Sequence, residues 1–209
     1  MDGVEPDSHE TCGLLERIKA GDDRAFDALF ARHREALRDF IDLRLDPRIR
    51  ARVDPSDVVQ ETQLEAFHRL PDYLEREPMP FRVWLRKTAY ERLLKVQRHH
   101  AAARRAVGRE AILPKRSSML LARHFFAAGA SPSQQLANRE LARRVRDALA
   151  QLTDSDREIL LMRNVEDLSY EEIACLLDLS VAAARKRYGR ALVRLQKILS
   201  DEGLLESPP

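Results

Sequence analysis

Residues Leu168–Lys197 read LSYEEIACLLDLSVAAARKRYGRALVRLQK, the pattern of a helix, a tight turn and a second helix. Ser169 is a good N-cap, and Glu172 three residues on completes a capping box. Ile173, Ala174 and Leu177 form the expected inner stripe of the first helix, small Ala174 leaving room for a crossing helix. Asp178 stands where the chain must turn, and Asp tolerates left-handed backbone. Ser180 caps the second helix, whose expected stripe is Val181, Ala184, Tyr188, Ala191, Leu195 and Ile198. Lys186, Arg190 and Lys197 fall opposite that stripe, with Arg187 and Arg194 on its flank. A cationic helix laid across another helix has the form of a DNA major-groove reader. The plainer alternative is a core helix with a solvated basic side; agreement of caps, turn and charge favours DNA.

Composition sets the frame around this motif. At 209 residues the chain suits one large domain or two small ones. Charged residues at 33%, hydrophobics at 44% and only 7 glycines are typical of a helix-rich protein. A net charge of +2 means that nucleic-acid affinity must come from segregated charge. That segregation is visible: Glu110 is the single acid between Arg98 and Arg123, whereas Asp54–Glu77 is rich in carboxylates. Cys12 and Cys175 make no disulfide framework, and Cys175 reads as a small packing residue. No apolar run is long enough to span a bilayer and the acidic start MDGVEPDSHE is unlike a signal peptide, so a cytoplasmic protein without membrane insertion is expected.

The expected fold is all-α, two small helical domains joined by a linker, the second carrying the helix-turn-helix. Residues 1–13 are expected to be disordered, 14–100 to form the first domain, 101–133 the linker, 134–200 the second domain and 201–209 a tail. Leu14–Leu45 reads as two helices broken at Gly21-Asp22-Asp23, with Asp22 able to cap the second and Leu29, Phe30, Leu37, Phe40 and Ile41 on a buried face. Asp54-Pro55 opens a third helix, proline sitting where its missing N–H costs nothing. That helix is expected to stop before Pro71, leaving Pro71–Pro80 as a loop. A fourth helix is expected over Phe81–His100, a short one around Met119–Phe126, then helices over Leu136–Leu152 and Ser155–Asn164, with Thr153 placed to cap the last.

On the fourth helix Phe81, Leu85, Ala89, Leu93 and Val96 share a core-facing arc, and Trp84, Lys87, Lys95 and Arg98 share the opposite one. A tryptophan among cations suits a surface where bases stack while phosphates are neutralised; a Trp84 covered by a neighbouring helix is the alternative. On the third helix Asp57, Glu61 and Glu65 recur at four-residue steps and would repel phosphate, so that helix more plausibly meets protein.

With these residues assembled, the chain resembles an RNA polymerase sigma factor of the sigma-70 family, extracytoplasmic-function (ECF) group. The resemblance runs from about Leu14 to Leu199. DPSDVVQETQLEAF resembles the core-polymerase-binding helix of region 2, and FRVWLRKTAYERLLKVQR the helix that melts and reads the −10 promoter element. ALAQLTDSDREILLMR with the helix-turn-helix resembles region 4, which reads the −35 element. By this resemblance 14–100 is region 2 and 134–200 region 4. Asp57, Val58, Gln60 and Glu61 then match the polymerase-binding motif, Phe81, Trp84 and Leu85 the melting helix, and Lys87, Lys95 and Arg98 its backbone contacts. Ser180, Ala182, Ala183, Arg185, Lys186, Arg187 and Arg190 lie on or beside the −35 surface, and Pro71–Pro80 occupies the place where the family captures a flipped base. Core RNA polymerase, promoter DNA and an anti-sigma factor are the implied partners.

Two other readings compete: a dimeric helix-turn-helix regulator, which leaves Trp84 and the acidic helix without a role, and a sigma mimic that titrates an anti-sigma factor, against which Lys186 and Arg190 count. An enzyme is the least supported. The sequence has no Gly-rich phosphate loop, C-x-x-C pair or H-E-x-x-H. No cofactor, metal or small-molecule substrate is expected, since adjacent His99 and His100 point to different faces of a helix.

Overall fold

A computed structural model describes residues 4–46, 49–50, 52–102, 114, 116–117, 119–121, 143–145 and 147–203. The chain divides into two compact units, Met1–Gly108 and Arg109–Pro209, so the division falls inside the stretch read as a linker. All regular structure among the described residues is helical.

The first unit holds α1 (His9–Lys19), α2 (Arg24–Asp42), α3 (Pro55–Arg76) and α4 (Phe81–Ala102). The expected disorder through residue 13 is corrected: the Ser8 hydroxyl accepts the Thr11 N–H at 3.3 Å and α1 opens at His9. Its Leu15 is buried against the unit's core. The break before α2 is made by Gly21 at φ +91°, a conformation that favours glycine. The N-cap position of α2 is Asp23 rather than Asp22. Asp22 takes two bonds from Arg17, at 2.6 and 3.0 Å, which hold its carboxyl below the usual range. Leu29, Phe30, Leu37, Phe40 and Ile41 are buried, as their spacing predicts.

α3 departs most from expectation. It opens as read, the Asp54 carboxylate accepting the Ser56 N–H at 2.7 Å and Asp57 returning to the Asp54 N–H at 3.4 Å. It then runs through Pro71 to Arg76 and ends at Glu77 in left-handed conformation. An interior proline costs about 3 kcal/mol. Leu70 and Tyr73 are buried on the same side as Ala66, and burying each contributes roughly 1.5–3 kcal/mol, enough to offset it. The loop is therefore only the four residues Glu77–Pro80, held by the Tyr73 hydroxyl donating to the Met79 carbonyl at 3.1 Å.

The second unit holds α5 (Asp154–Asn164), α6 (Tyr170–Leu177) and α7 (Val181–Asp201). Of the helix expected over Leu136–Leu152, residues 143–145 and 147–150 are described and helical, while Gln151 and Leu152 form a turn beyond its end; of that around Met119–Phe126, residues 119–121 are helical, and the rest of both lies outside the described residues. Thr153 caps α5, its hydroxyl accepting the Asp156 N–H at 3.2 Å. Arg157 is 5% exposed and donates to the carbonyls of Leu149, Ala150 and Leu152 at 3.2, 3.0 and 2.5 Å. It thereby closes the helical turn that precedes α5. Arg194 of α7 pairs with the buried Asp156. The helix end is also anchored: Arg144 bonds the Glu202 carbonyl and Gln151 the Glu202 carboxylate. The stretch read as a tail from 201 thus begins as structure.

Arg157→Ala strips those carbonyls of their donor. It should destabilise the protein by about 2–3 kcal/mol, read as a lower urea midpoint in far-UV circular dichroism; an unchanged midpoint would mean that water replaces the guanidinium.

Candidate nucleic-acid interface

The helix-turn-helix is assembled by caps. Ser169 Oγ accepts the Glu172 N–H at 3.2 Å while the Glu172 carboxylate accepts the Ser169 N–H at 2.8 Å. Asp178 takes the left-handed turn at φ 52°, and Ser180 Oγ accepts the Ala183 N–H at 3.2 Å. In α6 the deeply buried residues are Glu172, Ile173, Ala174 and Leu176, with Leu177 and Cys175 half-buried. In α7 they are Ala184, Ala191, Leu195 and Leu199, whereas Val181, Tyr188 and Ile198 are half-buried. A seven-residue stripe drifts around a straight helix by about 20° per heptad, which turns Leu199 inward in place of Ile198. Tyr188 donates to Asn164 Oδ1 at 2.9 Å, and burial raises its hydroxyl pKa.

Arg185, Lys186 and Arg190 are exposed, as are Ala182 and Lys197; Ala183 and Arg187 are half-buried. The cations are not equivalent. Arg185 lies 4.7 Å over the Tyr170 ring and 3.7 Å from Glu171, while Arg194 is committed to Asp156. Among the described residues Lys186, Arg187, Arg190 and Lys197 form no ion pair. Ser180 spends its hydroxyl on the cap.

On α4, Phe81 and Leu85 are fully buried, so they support the helix and do not face solvent. Trp84 is half-buried, 4.6 Å from Tyr73 and 5.5 Å from Phe81 between ring centroids. The expected arc opposite the core is therefore narrower than read, because α4 packs on both α2 and α3. Lys87 is half-buried; Lys95 and Arg98 are exposed. Burial pushes the Tyr73 hydroxyl far above its usual range, keeping it a neutral donor beside Trp84. The flipped-base loop expected over Pro71–Pro80 reduces to Glu77–Pro80, since its first six residues are helix.

On α3, Val58 is 1% exposed and belongs to the core, which removes it from any docking surface. Asp57 and Gln60 are exposed. Glu61 is held by Arg92 at 2.8 Å, and Glu65 by Arg69 at 2.7 Å, which also reaches Glu91 at 2.8 Å. The acids are thus largely partnered. What stands out instead is Leu64 at 63% and Phe67 at 50% exposure, beside Gln60 and Gln63. With Phe26 they line an open groove of about 610 Å³ edged by Asp23 and Asp27. Sequence reading passed over Leu64 and Phe67, although both fall off the arc of Val59, Thr62, Ala66, Leu70 and Tyr73.

Among the described residues no group of three or more His, Cys, Asp or Glu could hold a metal ion, and no helix is long and apolar enough to cross a membrane.

Residues 142–195 match the family described as Sigma-70, region 4. The chain is 31% identical over 190 residues to the RNA polymerase sigma factor CnrH of Cupriavidus metallidurans, covering 90% of this chain and 94% of that one. The chain belongs to the ECF sigma factors of RNA polymerase. This sigma factor is also 28% identical to the ECF sigma-E factor of Haemophilus influenzae (85% and 89% covered) and 27% to sigma-H of Pseudomonas aeruginosa (89% and 92%). Its structure resembles that of CnrH in complex with the cytosolic domain of CnrY, at TM-score 0.57 and 27% identity over 92% of this chain and 99% of that one. RpoE of Bartonella quintana, solved with the anti-sigma factor NepR, shares the fold at TM-score 0.53 and 19% identity over 84% and 96%.

Gly189 of the sigma factor lies within α7, and a Cβ added there meets nothing within 4 Å. Gly189→Ala should therefore stabilise by about 1 kcal/mol, the difference in helix propensity. A lower unfolding midpoint would instead reveal a backbone constraint at this position.

Proposed function

We propose that this sigma factor docks on core RNA polymerase through the outer face of α3 and presents two promoter-reading surfaces, α7 to the −35 element and α4 to the −10 element. The observation that carries this reading is the set of exposed, unpaired cations Lys186 and Arg190 on a helix set by successive caps. Each phosphate they neutralise releases counterions and adds salt-dependent affinity. Arg185, steadied by Tyr170 and Glu171, is aimed before DNA arrives. Exposed Ala182 and half-buried Ala183 offer no side-chain donor to base edges, so recognition leans on backbone contacts and DNA shape.

On α4 the half-exposed Trp84 supplies a ring for a base to stack on, with Lys95 and Arg98 for phosphates. Phe81 and Leu85 act from beneath, as its support. On α3, Leu64 and Phe67 form an apolar centre with Asp57, Gln60 and Glu61 at its polar rim, the anatomy of a protein interface. The protein carries out recognition without catalysis, in the cytoplasm where polymerase and promoters meet. A regulator of the anti-sigma class fits the same reading, since both solved relatives are bound to a protein partner.

Run-off transcription of genomic fragments by sigma-free core polymerase should yield discrete new starts only when this protein is added. Lys186→Ala with Arg190→Ala should cut −35 affinity about tenfold or more and make its salt slope shallower by roughly 2, leaving polymerase binding intact. Leu64→Asp with Phe67→Asp should do the reverse, abolishing the holoenzyme with helicity unchanged. Polymerase binding lost in the first pair, or kept in the second, would overturn the division of labour.

A further inference from the structure

We infer that Asp7 is a positioning residue for α4: its carboxylate caps that helix from 74 residues away, and the segment around it straps the first turn in place. Five other helices carry a local side-chain cap, from Ser8, Asp54, Thr153, Ser169 and Ser180. Phe81, the first residue of α4, instead follows Pro80, which has no side-chain acceptor. The Val83 and Trp84 amides turn back to the Pro80 carbonyl, each at 3.0 Å. The first two amides are left, and Asp7 takes both: Oδ2 accepts the Phe81 N–H at 2.5 Å and Oδ1 the Arg82 N–H at 3.2 Å. Phe81 is fully buried in the folded chain, where its N–H has the Asp7 carboxylate as partner. A carboxylate at a helix amino end also meets the positive end of the helix dipole.

The strap has further ties. The Arg82 guanidinium donates to the Glu5 carbonyl at 3.0 Å, and the Asp7 carbonyl lies 3.8 Å from the Cys12 thiol. Ser8, the next residue, caps α1, so two adjacent residues close the amino ends of two helices far apart in the chain. Phe81 and Trp84 both lie in the capped turn, and they pack on each other and on Tyr73. The cap therefore holds Trp84 in register with the rest of α4. This inference rests on α4 being the −10 helix, and the test separates the two.

Full-length Asp7→Ala is compared with Asp7→Ala/Pro80→Asp, in which a cap is supplied locally, and with Trp84→Ala. Hydrogen exchange over residues 81–84 and the emission of the single tryptophan are read on the free protein. Permanganate reactivity of −10 thymines is read in the holoenzyme on a promoter found by run-off. Asp7→Ala should exchange roughly fivefold faster over 81–84, the loss of one cap, with red-shifted emission and roughly fivefold weaker strand opening, all restored by Pro80→Asp. Asp7→Asn, which keeps one acceptor oxygen, should fall between. Unchanged exchange in Asp7→Ala overturns the cap. Faster exchange with full strand opening, where Trp84→Ala abolishes opening, overturns the positioning role. If Trp84→Ala opens DNA normally, the −10 assignment of α4 fails, and the cap stands or falls on exchange and its rescue alone.

Discussion

The contact among Tyr73, Phe81 and Trp84, with ring centroids 4.6 to 5.6 Å apart, governs the first unit. It joins the last turn of α3 to the first turn of α4. Aromatic pairs of this kind add roughly 0.5–1.5 kcal/mol each beyond the area they bury. Together with the burial of Leu70 and Tyr73 they carry α3 through Pro71, which shortens the connection to four residues. That short connection delivers Phe81 beside Asp7. The same contact draws Trp84 half out of solvent, so the ring is held in one orientation and not left as a mobile surface side chain. Rigidity at the start of α4 and partial exposure of its tryptophan thus have one origin.

Electrostatic organisation follows a second rule: cations and acids are sorted into those that hold the fold and those left for partners. Across α3 and α4, Glu61 meets Arg92, and Arg69 meets both Glu65 and Glu91. Exposed pairs of this kind contribute about 0–1 kcal/mol apiece, so their main effect is on potential. They cancel charge along the α3–α4 seam. On α7 the balance differs, because Arg194 alone is spent on a buried acid and Lys186 and Arg190 remain available. A chain of net charge +2 can in this way present a locally cationic helix.

Much was legible before any coordinates. The capping box of Ser169 and Glu172, the left-handed turn at Asp178 and the Ser180 cap are local chemistry, decided within three or four residues. Sequence reads such features well because the groups that satisfy one another are neighbours in the chain. The buried faces of α2 and the outward cations of α7 were legible for the same reason, through helical period. Two shifts of one residue, Leu176 for Leu177 and Leu199 for Ile198, came from the angle and drift of packed helices, which period alone does not contain.

What sequence alone determined was the all-helical class, the two-unit plan, the helix-turn-helix and the sign of charge on its second helix, all consequences of local capping and periodicity. Tertiary structure alone decided how several of the residues on α3 are exposed or partnered. It withdrew Val58 into the core, partnered Glu61, and left Leu64 and Phe67 exposed. It also carried α3 past Pro71 and brought Asp7 to the end of α4. Each of these depends on a contact between distant segments, and burial against a second or third helix is a property of their packing, which no single helix encodes.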